Sequence, residues 1–172
     1  MNDVAWQTLD QVLGQDFLTW LWYRGENSDQ FKGPDGEAFS VAMEKRVVVQ
    51  GGEGELMETA SVFGPMSELR EARLGLTTGK KVVRALLRLE QAGESWFLAL
   101  KAEDFGLGAF KTPRTAQPEK DEDPEAVFFE KVYLLEKGLG FLDTLYGAFL
   151  KLRLGPEWSG EVAAMQSWMY RE

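Results

Sequence analysis

The sequence predicts an α+β fold, in which an antiparallel β-sheet is flanked by helices and followed by a long C-terminal helix. Apolar and polar residues alternate through much of residues 38–102, as expected of strands with one buried face. Apolar residues instead recur at three- and four-residue steps in residues 6–24 and again after residue 126, as they do on helices. The chain has 172 residues, of which 44% are hydrophobic, so it can bury a sizeable core.

The first predicted helix spans residues 6–24. Its apolar residues share one face, and they are Leu9, Leu13, Phe17, Trp20 and Leu21. This spacing favours burial of the aromatic side chains near Arg24 over their exposure for base stacking. Gly25 is expected to end the helix, because glycine adopts the left-handed conformation that is common just past helix ends. Residues 25–37 are expected to form a loop.

The strands are expected between residues 38 and 102. Residues 38–63 predict a three-stranded meander, with one strand through Phe39 and Met43, a second at residues 46–50 and a third ending at Phe63. A short helix is expected at 65–79, closed by Gly79. Residues 80–103 then predict a hairpin whose two strands flank the sequence "QAGE".

The C-terminal third is predicted to be helical. Residues 111–125 read as an acidic, proline-containing linker, which separates a sheet domain (1–110) from a helical region (126–172) that packs on the sheet or on a dimer partner. A helix of about 28 residues would be about 42 Å long and would overhang a small sheet. Its predicted apolar seam has nearly coiled-coil spacing. The seam residues are Phe128, Val132, Leu135, Leu139, Leu142, Leu145, Phe149 and Leu152.

The composition removes several classes of chemistry. The chain has no Cys and no His, which excludes disulfides, thiolate zinc sites and catalytic triads that use an imidazole base. Carboxylates remain as candidates for a metal-dependent nuclease, in the sets Asp16 with Glu26, or Glu55 with Glu58 and Glu68. Neither set has a known ligand spacing. No enzyme activity, metal site or cofactor is therefore expected.

The absence of long apolar runs and of a signal-like N-terminus points to a cytoplasmic protein. No apolar run approaches the roughly 18 residues that cross a bilayer, and the N-terminus "MNDVAWQTLDQV" has no signal-like segment. The formal net charge is −9 and the pI is about 4.7. This charge opposes attraction of the whole chain to DNA phosphates, so any contact with nucleic acid must use a local patch.

One stretch is locally basic. Residues 70–88 carry six basic side chains against Glu71 alone, a local charge of +5. Within it, "GLTTGKK" is not a phosphate-binding loop, because its glycines are spaced wrongly and the chain runs from helix to strand there rather than from strand to helix. The candidate DNA-contacting residues are Arg73, Lys80, Lys81, Arg84 and Arg88.

Strand alternation would place Lys80, Arg84 and Arg88 on one face, about 13 Å apart at 3.3 Å per residue. The opposite face would be apolar and would consist of Val83, Ala85, Leu87 and Leu89. Such a basic row could follow a phosphate backbone. The alternative interpretation is the solvated face of an amphipathic strand, neutralised by neighbouring acids.

The segment "LGLTTGKKVVRALLRLEQAGESWFLALKAEDFGLGAFKTP" resembles the C-terminal part of the recombination-associated RdgC proteins. In that family a helix ends in a turn like Gly-Lys-Val-Val, and a strand of alternating basic and apolar residues follows. The segment "EDPEAVFFEKVYLLEKGLGFLDTLYGAFLKLRL" is similar to the family's terminal helix, and "LGQDFLTWLWYR" to an element of shorter, divergent relatives. The resemblance covers roughly residues 66–155.

The resemblance implies a non-catalytic protein that binds DNA without sequence preference, forms a ring-shaped dimer and restrains RecA-driven strand exchange. Lys80 and Lys81 match the family's turn lysine, and Arg84 lies on the strand after it. The implied partners are DNA, a second copy of the chain and a recombination protein. Much of the family's N-terminal half has no counterpart here. The second interpretation is therefore an acidic protein-interaction or assembly module that does not bind DNA.

Overall fold

The computed structural model describes residues 12–51, 58–63, 72–114 and 123–171. Residues 6–11, part of the predicted linker, and Glu55 and Glu68 of the second carboxylate set lie outside these ranges. The elements, in chain order, are α1 (Gly14–Glu26), β1 (Gln30–Lys32), β2 (Ala38–Gly51), β3 (Glu58–Phe63), β4 (Lys81–Gln91), β5 (Glu94–Lys101), β6 (Leu107–Lys111), α2 (Pro124–Arg153) and α3 (Trp158–Met169).

The predicted α+β class is confirmed, because six antiparallel strands form one sheet with helices packed on it. The strand order is β1-β2-β4-β5-β6, and β3 pairs with the same edge of β2 as β1 does, nearer the other end of that strand. The predicted three-stranded meander at 38–63 is wrong in the number of strands, because its first two strands are the single strand β2, while its third strand, β3, pairs antiparallel with the end of β2. None of the helices described is both long and apolar enough to cross a membrane.

β2 is one long strand where the sequence predicted two. It pairs with β4 on both sides of a register shift between Met43 and Val47. Such a bulge inserts unpaired residues and interrupts the strict alternation, which therefore looked like a strand boundary. The sheet also extends beyond the predicted residues 38–102, because β1 lies inside the predicted loop 25–37 and β6 adds an edge strand.

The predicted hairpin around "QAGE" is confirmed. β4 and β5 are joined by Ala92 and Gly93, whose φ angles are 50° and 80°. Positive φ at both central residues is the conformation that matches the twist of two tightly connected strands. The two-residue turn fixes the register of the whole hairpin, so that Arg88 lies opposite Phe97 and Arg84 opposite Lys101.

A second bulge changes the face assignment at the start of β4. Val48 pairs with Arg84 and Val49 with Val82, which leaves Val83 as the extra residue. The prediction that Val83 belongs to the apolar inner face is wrong, since Val82 is fully buried there and Val83 is only half-buried. The other three predicted inner residues are buried, and they are Ala85, Leu87 and Leu89.

The described helices pack on one face of the sheet, where aromatic rings dominate the core. Phe17 of α1 lies 5.3 Å from the ring of Phe149 in α2, and Phe141 stacks on Phe39 of β2 at 4.4 Å. α1 is fixed to the start of β4 by Thr19, whose hydroxyl accepts the Val82 N–H at 3.3 Å. Gly79 has φ 85° and ends the helical turn at 72–76, as the sequence predicted.

α2 begins at Pro124, where the Asp123 carboxylate accepts the Glu125 N–H at 3.0 Å. Its buried residues are Leu134, Gly138, Phe141, Leu145 and Phe149. The first part of the predicted apolar seam does not pack on the sheet, since Phe128, Leu135 and Leu139 are exposed. α2 lies close to the sheet at Gly138, where an added Cβ would be 2.8 Å from side-chain atoms of Trp96 and Phe110. One turn earlier, the Trp96 Nε1–H donates to the Leu134 carbonyl at 2.9 Å.

The turn between β1 and β2 is tied to β4 and to α2 by Asp35. Its carboxylate accepts the backbone N–H of Glu37 at 3.0 Å and the Gln91 amide at 3.3 Å, and it lies 3.7 Å from the Lys137 ammonium. The backbone hydrogen bond from Glu37 is the main reason why the pKa of Asp35 is lowered. These contacts therefore favour the folded state above the ordinary pKa of an aspartate and weaken as the pH falls below it.

Candidate nucleic-acid interface

The sheet face opposite the helices is called the open face here, because no helix in the described ranges covers it. Along β5 the residues alternate between the two faces, so that Trp96, Leu98 and Leu100 are buried while their neighbours are partly or fully exposed. The outward-pointing residues of the described strands include Gln30, Lys32, Ser40, Ala42, Glu44, Val48, Arg84, Leu86, Arg88, Glu90, Ser95, Phe97, Ala99, Lys101 and Lys111.

Two basic residues lie directly opposite each other on the open face. Arg84 of β4 is paired in register with Lys101 of β5, and both side chains are exposed. Among the described residues, neither has an ion-pair partner. Like charges directly across a strand pair are unfavourable. Arg84 and Lys101 therefore face each other with no described acidic side chain to neutralise them, although the chain has a net charge of −9. This is the feature of the open face that points most directly to an anionic ligand.

Arg88 lies on the same face in a different electrostatic setting. Its Nε atom is 3.1 Å from the Glu44 carboxylate and 3.4 Å from that of Glu90. Neither approach has the alignment of a hydrogen bond, since the Arg88 Nε is buried without a hydrogen-bond partner in the structure. The two acids therefore offset the charge of Arg88 through proximity rather than through a fixed bidentate geometry.

An aromatic side chain lies beside this arginine. Phe97 is opposite Arg88 on one side and Lys111 of β6 on the other, and it is half-buried among small neighbours such as Ala99 and Ser95. Its ring is not part of the main core. An aromatic ring between two basic side chains on an uncovered sheet can stack on a nucleic-acid base while the cations contact phosphates.

The open face is more basic than the chain as a whole. Its described residues include five basic side chains (Lys32, Arg84, Arg88, Lys101 and Lys111) and two acidic ones (Glu44 and Glu90), a surplus of three positive charges. Arg84 and Arg88 are four residues apart on β4, about 13 Å at 3.3 Å per residue. The structure therefore brings two of the five predicted contact residues onto one surface and adds Lys32, Lys101 and Lys111 to them.

Lys80 and Lys81 lie on the helical side of the sheet. Both border a groove of about 650 Å³ formed with α1, α3 and residues 76–79. The Lys81 Nζ donates to Asp16 Oδ1 at 2.7 Å, and the other oxygen of Asp16 accepts from Arg153 Nε at 3.2 Å. The charge of Lys81 is therefore shared with a carboxylate that holds α1, β4 and α2 together.

Arg73 lies in a third place, at the junction of α1 and α3. Its guanidinium donates to Glu26 Oε2 at 3.1 Å and to the Arg171 carbonyl at 2.6 Å, and it lies 5.9 Å from the centre of the Trp168 ring. The side chain is only 14% exposed. These contacts give Arg73 a structural role in fastening α3 to α1.

The carboxylate candidates do not form a described cluster. Asp16 and Glu26 are ten residues apart on α1, about 15 Å along the helix axis, and each is already engaged by cations or indole N–H groups. No group of three or more carboxylates within the described ranges is placed to hold a metal ion. The side chain of Glu58 lies outside the described part.

The residues of the open face that the sequence reasoning missed include Phe97, Lys101 and Lys111. Lys101 and Phe97 could have been found, since a two-residue turn at Ala92–Gly93 pairs every residue of β4 with one of β5. Lys111 could not, because β6 follows the hairpin with an irregular register and has only short, weakly patterned strand sequence.

Comparisons with protein-family models, with curated proteins and with solved structures gave no match.

Proposed function

We propose that this chain is a non-catalytic protein of the RdgC type that binds DNA without sequence preference, acts in recombination and forms a homodimer. The contact surface is the open face, and its main residues are Arg84, Arg88, Lys101 and Lys111. The observation that carries the proposal is the exposed, like-charged pair Arg84–Lys101. A phosphate between the two side chains would convert their mutual repulsion into two favourable contacts.

The arrangement suits backbone contact better than sequence readout. Base-specific recognition uses an element that enters a groove and presents side chains to the base edges. The open face instead presents charges on a sheet surface, with Phe97 as a sequence-tolerant stacking residue. The proposal accordingly predicts steep dependence of the affinity on salt and little dependence on sequence.

A second candidate function is a protein-interaction module without DNA binding. The observation in its favour is a row of large apolar side chains that α2 leaves exposed, among them Phe128 at 61% and Phe129 at 60%. Apolar surface of this kind commonly marks protein contacts. A measurement of DNA binding distinguishes the two functions, since the interaction module binds no DNA.

Lys101→Glu is expected to weaken DNA binding about tenfold or more at low salt, because it replaces an attraction with a repulsion beside Arg84 on the open face. Arg84→Glu/Lys101→Glu should reduce the magnitude of the salt dependence, the slope of log affinity against log salt, by roughly 2. Fluorescence anisotropy with labelled duplex and single-stranded DNA, repeated over a range of KCl concentrations, measures both effects.

Lys151→Glu is the matched control, because this exposed lysine of α2 undergoes the same change in charge away from the open face. It should weaken binding only slightly, through the net charge. Equal losses for Lys101→Glu and Lys151→Glu would show that the open face is not the contact surface. Absence of binding by the unaltered protein at low salt would remove the DNA function and leave the protein-interaction module.

Glu90→Gln is expected to strengthen DNA binding severalfold, since it removes one of the two carboxylates near Arg88 and raises the charge of the open face by one. Glu103→Gln, an exposed acid in the turn after β5, provides the comparison for a change in net charge alone. The same titrations measure both variants. A gain no larger for Glu90→Gln than for Glu103→Gln would contradict the participation of Arg88.

A further inference from the structure

The first half of α2 exposes an apolar strip that packs against no described part of the chain's core. We call the four residues Phe128, Val132, Leu135 and Leu139 the α2 strip. Phe128, Leu135 and Leu139 are 61%, 42% and 45% exposed, and Val132 is half-buried. Their steps of four, three and four residues keep them on one side of the helix, as in the seam of a coiled coil.

The α2 strip does not belong to the side of the helix that packs on the sheet. At 100° per residue, the buried residues of α2, from Leu134 to Phe149, centre about 100° around the helix from the strip. Residues 124–131 are almost entirely exposed, so the first turns of α2 project from the body of the protein. The strip is therefore accessible to another helix lying alongside α2.

We propose that the α2 strip pairs in parallel with the same strip of a second copy of this chain. Phe128 and Leu135 then occupy the d positions of the heptad, and Val132 and Leu139 occupy the a positions. A β-branched residue at an a position with leucine at the following d position favours two-stranded parallel pairing, and Val132 with Leu135 has this arrangement.

The charged residues beside the α2 strip favour a second copy of the chain as its partner and a parallel direction of the two helices. In this register Lys131 is at a g position and Glu136 is at the e position five residues later. In a parallel pair, g of one helix faces that e position of the other, so two-fold symmetry gives two Lys131–Glu136 ion pairs. In an antiparallel pair with residue 128 facing residue 139, Lys131 would instead lie near Gly138 and Glu136 near Phe129, so neither ion pair would form. Neither residue has an ion pair within the described part of the chain.

The position of the strip also permits this pairing sterically. Because the sheet lies about 100° around α2 from the strip, a two-fold axis parallel to the helices places the two sheets on opposite sides of the helix pair. The bodies of the two copies therefore do not compete for the same space.

The pairing rests on the homodimer named in the proposed function, but it does not depend on the DNA contact. Leu135→Asp is expected to convert a dimer into a monomer at concentrations of tens of micromolar, with an unchanged circular dichroism spectrum because Leu135 is exposed. Sedimentation equilibrium on the full chain measures this. Leu154→Asp is the matched control, since Leu154 is 75% exposed at the other end of α2 and lies outside the strip.

A dimer that Leu135→Asp leaves intact, or an unaltered protein that is monomeric throughout this concentration range, would overturn the pairing. If the unaltered protein is monomeric, the partner of the α2 strip would be a helix of another protein. A dimer that does not bind DNA would contradict the proposed DNA function and support the pairing. A monomer that binds DNA would support the DNA function and contradict the pairing.

The direction of the helices has its own test, because the chain contains no native cysteine. Phe128→Cys is expected to form an intermolecular disulfide efficiently under mild oxidation, since equivalent d positions face each other in a parallel pair. In an antiparallel pair residue 128 would face the region of residue 139. Cross-linking only between mixed Phe128→Cys and Leu139→Cys chains would contradict the parallel arrangement.

Discussion

Replacing Gly14 with alanine is expected to destabilise the protein by about 3 kcal/mol or more. Gly14 is the first residue of α1, and a Cβ there would overlap the carbonyl oxygen of Ala102 and lie 2.6 Å from its carbonyl carbon. These are backbone atoms of a buried residue at the end of β5, held by a hydrogen bond from the Ala102 N–H to the Val83 carbonyl at 2.9 Å. Neither Gly14 nor Ala102 can move away from the other without separating α1 from the sheet.

Thermal and urea unfolding, followed by circular dichroism and tryptophan fluorescence, measures the loss. For a chain of this size, 3 kcal/mol corresponds to a decrease in Tm of about 6–12 °C. Gly147→Ala is the control, because Gly147 lies within α2 with no other atom within 4 Å of an added Cβ. That substitution should stabilise the protein by about 0.5–1 kcal/mol. A harmless Gly14→Ala would mean that α1 does not approach β5 this closely.

The contact at Gly14 shows what periodicity cannot predict. The apolar spacing near Phe17 predicted a helix and its buried face, because these depend on residues close together in the sequence. The approach of Gly14 to Ala102 depends on how α1 crosses the sheet. A glycine at the start of a helix can be explained by local backbone conformation alone. Only the tertiary structure shows that Gly14 is needed for the close contact with Ala102.

The open face was partly predictable for the same reason. Simple alternation placed Arg84 and Arg88 on the outward side of a strand. The tight turn at Ala92–Gly93 sets the register of β4 and β5, and this register puts Lys101 opposite Arg84. Arg73 was grouped with them by its charge and its nearness in sequence, and Lys81 also by the resemblance. The fold separates them because the chain passes from the helical side to the sheet at residues 80–82.

α2 illustrates the limit of an apolar pattern that continues around most of a helix. The predicted seam combined Phe128, Leu135 and Leu139, which are exposed, with Leu145 and Phe149, which are buried. The side that packs on the sheet is instead centred on Gly138, which lets Trp96 and Phe110 lie against the helix. A glycine adds nothing to an apolar pattern, so the sequence pattern could not show that α2 lies close to the sheet at this residue.

Glu26→Ala is expected to destabilise the protein by about 2–4 kcal/mol, because one carboxylate serves three donors. Its oxygens accept the indole N–H groups of Trp22 at 2.8 Å and of Trp168 at 2.7 Å, besides the guanidinium of Arg73. Both tryptophan rings are almost fully buried. Loss of the carboxylate therefore leaves two indole donors and a partly buried cation without an acceptor.

The control for Glu26→Ala is Glu103→Ala, which removes an exposed acid and should change stability by less than about 0.5 kcal/mol. Chemical unfolding curves monitored by tryptophan fluorescence compare the two. Glu26→Gln should have an intermediate cost, since the amide retains one acceptor oxygen for the indole groups. Equal stability of the Glu26→Ala and Glu103→Ala variants would show that the indole N–H groups find other acceptors.

The same cluster decides the role of Arg73. If this residue fastens α3 to α1, Arg73→Ala should lower the stability by about 1–2 kcal/mol, while the folded variant binds DNA as the unaltered protein does. If Arg73 contacts phosphates, as its place in the basic stretch suggested, the variant should lose affinity and the salt dependence should fall by about 1. The geometry favours the first result, because a side chain that is 14% exposed and already bound to Glu26 and the Arg171 carbonyl has little remaining capacity for a phosphate.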